Sequence, residues 1–227
     1  MGILILAAHP DDEVLGCGAS IAKWTNNGMT VNIVILSEGA TSRHKTRDRK
    51  KWTYHLNSLR KAALGSAKIL KASSIKLLNF PDNRMDTISR LDIVKEIEAV
   101  IDEYKPSTII THHSGDVNID HRVILDSVIV AARPQPNSNI KRILTFETPS
   151  STEWQVNGSL KSFIPNWFED VSNTMDAKLR ALQEYEIEMR EWPHPRSLKA
   201  VKNLAKWRGS SIGVNYAEAF MLLREIN

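Results

Sequence analysis

The chain has 227 residues, 42% hydrophobic and 25% charged, a balance that excludes fibrous and intrinsically disordered classes. Its 30 Lys and Arg against 26 Asp and Glu give a net charge of +4, and no apolar run reaches the roughly 18 residues of a transmembrane helix. The single Cys17 excludes an internal disulfide, and Met1–Ala8 is too short and lacks the basic start of a secretory leader, so a cytoplasmic setting is expected.

Ile3–Ala7 is a continuous apolar run, the pattern of a strand buried on both faces. A helical pattern follows over Val14–Trp24 and stops near Asn26-Asn27-Gly28, residues that tolerate positive φ. Val31–Leu36 reads as a second strand, left through Ser37-Glu38-Gly39. Lys45–Leu70 predicts one long helix or two, with Leu56, Leu59, Ala63, Ala67 and Leu70 on one stripe. Ile75–Leu78 is a third strand, closed by Phe80-Pro81-Asp82-Asn83. Ser89-Arg90-Leu91-Asp92 resembles a capping box opening a helix that Pro106 ends.

Thr108–His112 is a fourth strand, and Asp120 is placed to cap a helix running to Ala132. Ile140–Phe146 is a fifth strand. A helix is expected over about Asp176–Arg190, broken by Trp192-Pro193-His194-Pro195, and a final helix near Tyr216–Arg224. This alternation predicts an α/β fold: a Rossmann-like, mostly parallel sheet with helices on both faces, plus a C-terminal elaboration from about residue 147. No linker divides the chain, so one domain over residues 1–227 is expected.

In open α/β sheets, ligands bind beyond the carboxyl ends of the strands. His9, Asp11 and Asp12 follow the first strand, Glu38 the second and Asp82 the third. His112, His113, Asp116, Asn118, Asp120 and His121 follow the fourth, and Glu147 the fifth. The run His9-Pro10-Asp11-Asp12-Glu13 crowds one imidazole and three carboxylates at one lip of the sheet, a charge density that calls for a cation. Two neutral imidazoles and one carboxylate leave open positions on a catalytic metal. His9 and Asp12, three apart, can face one point, and a distant His completes the set. His121, preceded by Asp120, suits that role best, with His112 and His113 as alternatives. A zinc ion there would bring the pKa of bound water towards ~7. Asp11 is then the free carboxylate that acts as general base, while Asp120 orients a ligand from behind.

Ala8–Glu13 followed by Val14-Leu15-Gly16-Cys17-Gly18 resembles the zinc-binding signature of the PIG-L/LmbE-like N-deacetylase family, and Asn118-Ile119-Asp120-His121 resembles its second motif. Arg60, Phe80-Pro81-Asp82-Asn83 and Pro193-His194-Pro195-Arg196-Ser197 are similar to further family segments. The resemblance implies hydrolysis of the acetamide of an N-acetylglucosamine-type sugar, with zinc on His9, Asp12 and His121, Asp11 as base and Arg60 near the substrate. Iron(II) suits the same ligand set. The chain departs from the pattern at Asn118, where many members carry a histidine that stabilises the oxyanion. An asparagine cannot protonate the leaving amine, which leaves that proton to Asp11 or His194, with His194 swinging over the site as the expected transition-state stabiliser.

Arg43 and Arg60 are candidates for sugar hydroxyls or a phosphate, and Asp82 and Asn118 complete the expected substrate-binding set. The Ser/Thr-rich stretch Glu147–Trp154 is a further sugar-contacting candidate, with Trp154 and Trp167 as stacking platforms. Two other classes compete. A metal-dependent phosphoesterase would need more carboxylates to bridge two metals. A non-catalytic nucleotide- or RNA-binding protein would use the basic run Arg43–Lys51, but the chain has no glycine-rich phosphate loop and no interleaved aromatics. The expected partner is a small N-acetylated sugar or sugar conjugate, with no nucleic acid and no membrane span; a homo-oligomer is compatible with the sequence.

Overall fold

The computed structural model describes residues 2–43, 45–136, 138–156, 158 and 160–227. Its strands are β1 (Gly2–Ala7), β2 (Thr30–Ser37), β3 (Ser74–Phe80), β4 (Thr108–His112), β5 (Arg142–Phe146), β6 (Trp167–Asp170) and β7 (Ala217–Glu225). The helices are α1 (Asp12–Asn26), α2 (Thr53–Ile69), α3 (Arg90–Tyr104), α4 (Ile119–Ala131), α5 (Met175–Glu184) and α6 (Leu198–Ser210). One mixed sheet runs β3-β2-β1-β4-β5-β7-β6. The first five strands pair parallel, and β7 joins antiparallel between β5 and β6.

The apolar run of β1 is unbroken because both of its faces are covered. Ile3, Ile5 and Ala7 enter one core, shared with α1, α2 and α5. Leu4, Leu6 and Ala8 enter the other, shared with α3 and α4. The chain passes from β1 to β2 on one side and returns to β4 on the other. This reversal opens a crevice beyond the ends of β1 and β4, where an α/β sheet binds its ligands. α1 lies close to β5 because residue 16 is glycine; a Cβ there would drive into the Phe146 ring.

Several boundaries differ from the sequence expectation. Residues 45–52 are not helical, and α2 begins at Thr53. Arg47 and Arg49 instead fold back onto the Glu38 carboxylate at the end of β2, at 2.7 Å and 2.8 Å, and Arg49 also donates to Asn79. Ser89 stands at the start of α3 but makes no side-chain cap bond. Asn118, not Asp120, caps α4: its side-chain oxygen accepts the Asp120 N–H at 2.9 Å. α5 ends at Glu184, six residues before the expected Arg190, because Tyr185 turns inward as its C-cap. α6 and β6 were not foreseen, although Ser197 caps α6 by accepting the Ala200 N–H.

The segment expected as a final helix is the strand β7. Its Ala, Glu, Met, Leu and Arg favour helix intrinsically, but β5 would otherwise be an unpaired parallel edge, and the pairing energy decides. Glu218 of β7 is buried and accepts the N–H groups of Ala19 and Ser20, at 3.1 Å and 2.7 Å. These donors are freed by the kink in α1 at Cys17. Lys178 of α5 completes the arrangement, reaching Glu218 at 2.5 Å and the Leu15 carbonyl at 2.7 Å.

Lys178→Ala would leave Glu218 buried without a counter-charge, an arrangement that costs about 3–5 kcal/mol. The midpoint of urea unfolding is expected to fall accordingly, and an unchanged midpoint would show that the pair contributes nothing to stability.

Candidate active site

The crevice is built from the turn between β1 and α1. Asp11 is the residue before α1 and has φ 120° and ψ −29°, a region that side chains other than glycine avoid. Its neighbours over-determine it. Its carbonyl accepts from the N–H groups of Val14 and Leu15 at 3.0 Å and 2.8 Å. Its own N–H donates to Glu13 Oε2 at 3.1 Å. Glu13 is buried, and burial pushes its carboxyl up to about 7 against the hydrogen bonds that stabilise its charge. The Tyr185 hydroxyl, 2.5 Å away, and the Ser66 hydroxyl, 3.3 Å away, donate to its other oxygen.

Beside this turn, three side chains converge. His9 Nδ1 and His121 Nε2 lie 3.1 Å and 3.2 Å from Asp12 Oδ2. The candidate ligand atoms of His9, Asp12 and His121 lie within 4.8 Å of one another, so the three could hold a metal ion. Zinc bonds of about 2.0–2.1 Å in a tetrahedral site put ligand atoms about 3.3–3.4 Å apart, inside that limit. Asp12 Oδ1 is buried and has no hydrogen-bond partner, the state of an atom whose natural partner is a cation. The residues present fit such a group.

Each imidazole is backed by a carboxylate on its far nitrogen. His9 Nε2 lies 3.1 Å from Asp120 Oδ2 and 3.3 Å from Asp82 Oδ1. His121 Nδ1 lies 3.1 Å from Asp116 Oδ2. Such pairs place the proton on the far nitrogen and leave the near one free to ligate. Asp120 is itself fixed by the N–H groups of Asn83 and Met85, at 2.7 Å and 2.9 Å. Asp116 is fixed by the hydroxyls of Ser151 and Thr152 and by the Asn118 N–H.

Burial alone would lower the His121 pKa, but Asp12 and Asp116 outweigh it and push it up to about 9. Burial likewise disfavours charge on His9, yet hydrogen bonds to Asp12 and Asp120 hold it well above its ordinary value. Burial would raise the Asp116 carboxyl, but the His121 imidazolium beside it prevails and brings it to about 2.

The two alternative ligands are occupied elsewhere. His112 Nε2 accepts the Ala8 N–H at 2.8 Å, and its ring stacks on His121 at 3.7 Å. Burial, then the neighbouring His121, keeps it well below its ordinary pKa, so it is a neutral spacer. His113 Nε2 lies 2.9 Å from the Lys161 carbonyl.

A cavity of about 120 Å³ opens over the cluster, lined among others by His9, Asp11, Arg43, Asp82, Asn118 and Arg196. Arg43 is turned onto Glu188 at its rim. Asp82 accepts the Ser42 N–H at 2.9 Å and the Asn83 side-chain amide at 2.9 Å. Both ends of the Asn118 carboxamide are committed, the oxygen to the α4 cap and the nitrogen to Asn83 at 2.9 Å.

Two expected residues lie outside the wall. Arg60 is exposed on α2. His194 accepts the Arg196 N–H at 3.0 Å and meets the Trp154 ring edge-on. The positive charge beside Asp11 comes instead from Arg196, whose Nη1 donates to Asp11 Oδ2 at 2.8 Å. Arg196 sits in the Pro193–Ser197 segment that the sequence marked, two residues from the histidine singled out there. Burial nonetheless holds the Asp11 carboxyl well above the usual range, with Arg196 opposing it.

The stretch 147–154 braces the site from the side of β5. Ser151 and Thr152 hold Asp116, and Glu147 forms a two-point ion pair with Arg208 of α6. Trp167 lies under the Arg142 guanidinium on the sheet, at 4.4 Å. Among the described residues, no helix is long and apolar enough to cross a membrane.

The family described as PIG-L, GlcNAc-PI de-N-acetylase, matches residues 4–132. An uncharacterized deacetylase, YaiS, of Escherichia coli (strain K12) is 31% identical over 190 residues, covering 81% of this chain and 90% of that protein. The diacetylchitobiose deacetylase of Thermococcus kodakarensis is 28% identical over 222 residues, covering 95% of this chain and 80% of its own. Among solved structures, a conserved protein from Thermus thermophilus superposes with a TM-score of 0.76 at 19% identity, covering 99% of this chain and 96% of its own; at that identity it shows the shared fold.

A ligating imidazole must be neutral, and His121 without metal is protonated below about 9. Metal affinity is therefore expected to rise with pH towards that value, by about tenfold per unit for each proton displaced. Chelator competition across this range checks it; an affinity independent of pH would remove His121 from the ligand set.

Proposed function

The chain belongs to the PIG-L, GlcNAc-PI de-N-acetylase family, and from that premise we propose that it hydrolyses the acetamide of an N-acetylglucosamine-type sugar or sugar conjugate. In this reading zinc is held by His9, Asp12 and His121, a set that iron(II) also suits. The observation that carries the reading is the convergence of His9, Asp12 and His121, with Asp12 Oδ1 buried and unpartnered, beneath a cavity whose wall includes a second carboxylate, Asp11. The deacetylases of Escherichia coli and Thermococcus kodakarensis support it.

A divalent cation at this cluster supplies a Lewis acid, lowering the pKa of water towards about 7 and polarising the acetamide carbonyl. Asp11 takes the proton of the water that adds to the carbonyl carbon. It is suited to the task because burial raises its proton affinity while Arg196 keeps the carboxylate accessible. When the C–N bond breaks, Asp11 returns that proton to the amine nitrogen, leaving acetate and a free amino sugar. Asn118 takes no part in proton transfer, since its carboxamide is committed to the α4 cap and Asn83.

Asp120 and Asp116 hold the two imidazoles in their ligating orientation. Asp82, with Asn83 and Ser42, forms the wall that receives the sugar hydroxyls. Arg43 reaches the sugar only by leaving Glu188. The basic run is a weak nucleic-acid surface, since Arg43, Arg47 and Arg49 are all paired with carboxylates of the chain itself. The whole of 1–227 acts as one catalytic unit in this reading, because the residues holding Asp11 come from both of its ends.

Incubation with N-acetylglucosamine and diacetylchitobiose is expected to release acetate and free amine in equal amounts, and removal of metal by a chelator to stop it. Asp11→Ala should keep the metal and lose about 10²–10⁴-fold in kcat. Phosphate release from an aryl phosphate without acetate release from either sugar would overturn the proposal in favour of a phosphoesterase.

A further inference from the structure

We infer that Arg196 is a positioning residue for Asp11, fixing which oxygen of that carboxylate meets the reacting water; the inference rests on the deacetylase reading above. Asp11 is the one group of the cluster that must keep a free oxygen while sitting beside a ligand carboxylate. Its backbone is locked in a strained conformation, but a carboxylate can still rotate about its own side-chain bonds. Arg196 Nη1 donates to Asp11 Oδ2 at 2.8 Å and so leaves Oδ1 as the oxygen that exchanges a proton.

Arg196 is itself held from three parts of the fold, twice through its guanidinium and once through its backbone. Its Nε donates to Ser150 Oγ at 2.6 Å, in the loop after β5. Its Nη1 also approaches Glu188 Oε2 at 3.5 Å, in the turns after α5. Its backbone N–H is tied to His194 Nδ1 at 3.0 Å, next to the cap of α6. The side chain is 23% exposed and lines the same cavity as His9 and Asp11. A planar fork with several donors can bind Asp11, Ser150 and Glu188 in one orientation, which an ammonium cannot. Arg196, Ser150 and Glu188 all lie beyond residues 4–132, the stretch that matches the PIG-L family.

The test compares wild type, Arg196→Ala, Asp11→Ala and the double variant, with diacetylchitobiose as substrate and bound zinc measured on each. The expected result is a fall of about 100-fold in kcat for Arg196→Ala, the cost of a misplaced catalytic group. Zinc content should be unchanged, KM should stay within about twofold, and added guanidinium ion should restore part of kcat. In the Asp11→Ala background, Arg196→Ala should cost little more, because the residue through which it acts is gone.

An undiminished kcat overturns the inference, as does a loss that follows zinc or KM, that guanidinium does not relieve, or that adds in full to Asp11→Ala. If Arg196→Ala does not fold, Arg196→Gln is read by the same criteria. A wild type that binds zinc but releases no acetate from either sugar overturns the deacetylase reading and this inference together, whereas an active wild type with an equally active Arg196→Ala overturns this inference alone.

Discussion

The structure is organised around one electrostatic problem. Asp12 is fully buried at the start of α1, and Oδ2 of its carboxylate faces the imidazoles of His9 and His121 while Oδ1 has no partner. Burying such a group is costly unless positive charge balances it, and here the protein supplies that charge as imidazolium. Around it stand Asp11, Asp82, Asp116 and Asp120, each held in place by backbone N–H groups, hydroxyls, amides or an arginine. A cation between Asp12 and the two imidazoles would let the histidines become neutral and would satisfy the orphaned oxygen. Most other features of the crevice keep this acidic, desolvated cluster rigid.

Much of this was legible in the sequence because it is local. The apolar run Ile3–Ala7 and the polar residues that follow it fix a buried strand with a reactive lip, and the same logic places His121 beyond β4. His9, Asp12 and His121 were expected together and are together. What escaped depends on contacts between distant segments. β7 has the composition of a helix and is a strand because β5 offers it an edge. Arg196 reaches Asp11 across 185 residues of sequence, and Tyr185 reaches Glu13 across 172. Nothing in a tyrosine near the end of a helical pattern marks it as the partner of a glutamate in the first turn of the chain. Asp116 carried a weak signal, a carboxylate two residues before the Asn118 cap, but its bond to His121 is set by the hydroxyls of the loop after β5.

The glycine, strain and capping patterns share one purpose. Gly16 lets α1 approach β5, Asp11 accepts a strained backbone, and Asn118 spends its carboxamide on capping α4. Gly16 and Asp11 each sacrifice a local preference, and Asn118 follows one, to set the direction of a side chain at the crevice. The Lys178–Glu218 pair serves the same end from below, since it receives the N–H groups that the kink in α1 leaves unpaired.

The dependence of an early turn on a late segment has a consequence for biogenesis. Synthesis runs from the N-terminal side, so the ribosome delivers His9, Asp12 and His121 well before Tyr185, Arg196 and the strand that completes the sheet. The nascent polypeptide therefore carries the three residues proposed to hold the cation while the clamp on Asp11 is still inside the exit tunnel or yet untranslated. On the proposed function, the residues for coordination and those for turnover are thus separated in time, and a prematurely terminated product would retain His9, Asp12 and His121 without the clamp on Asp11.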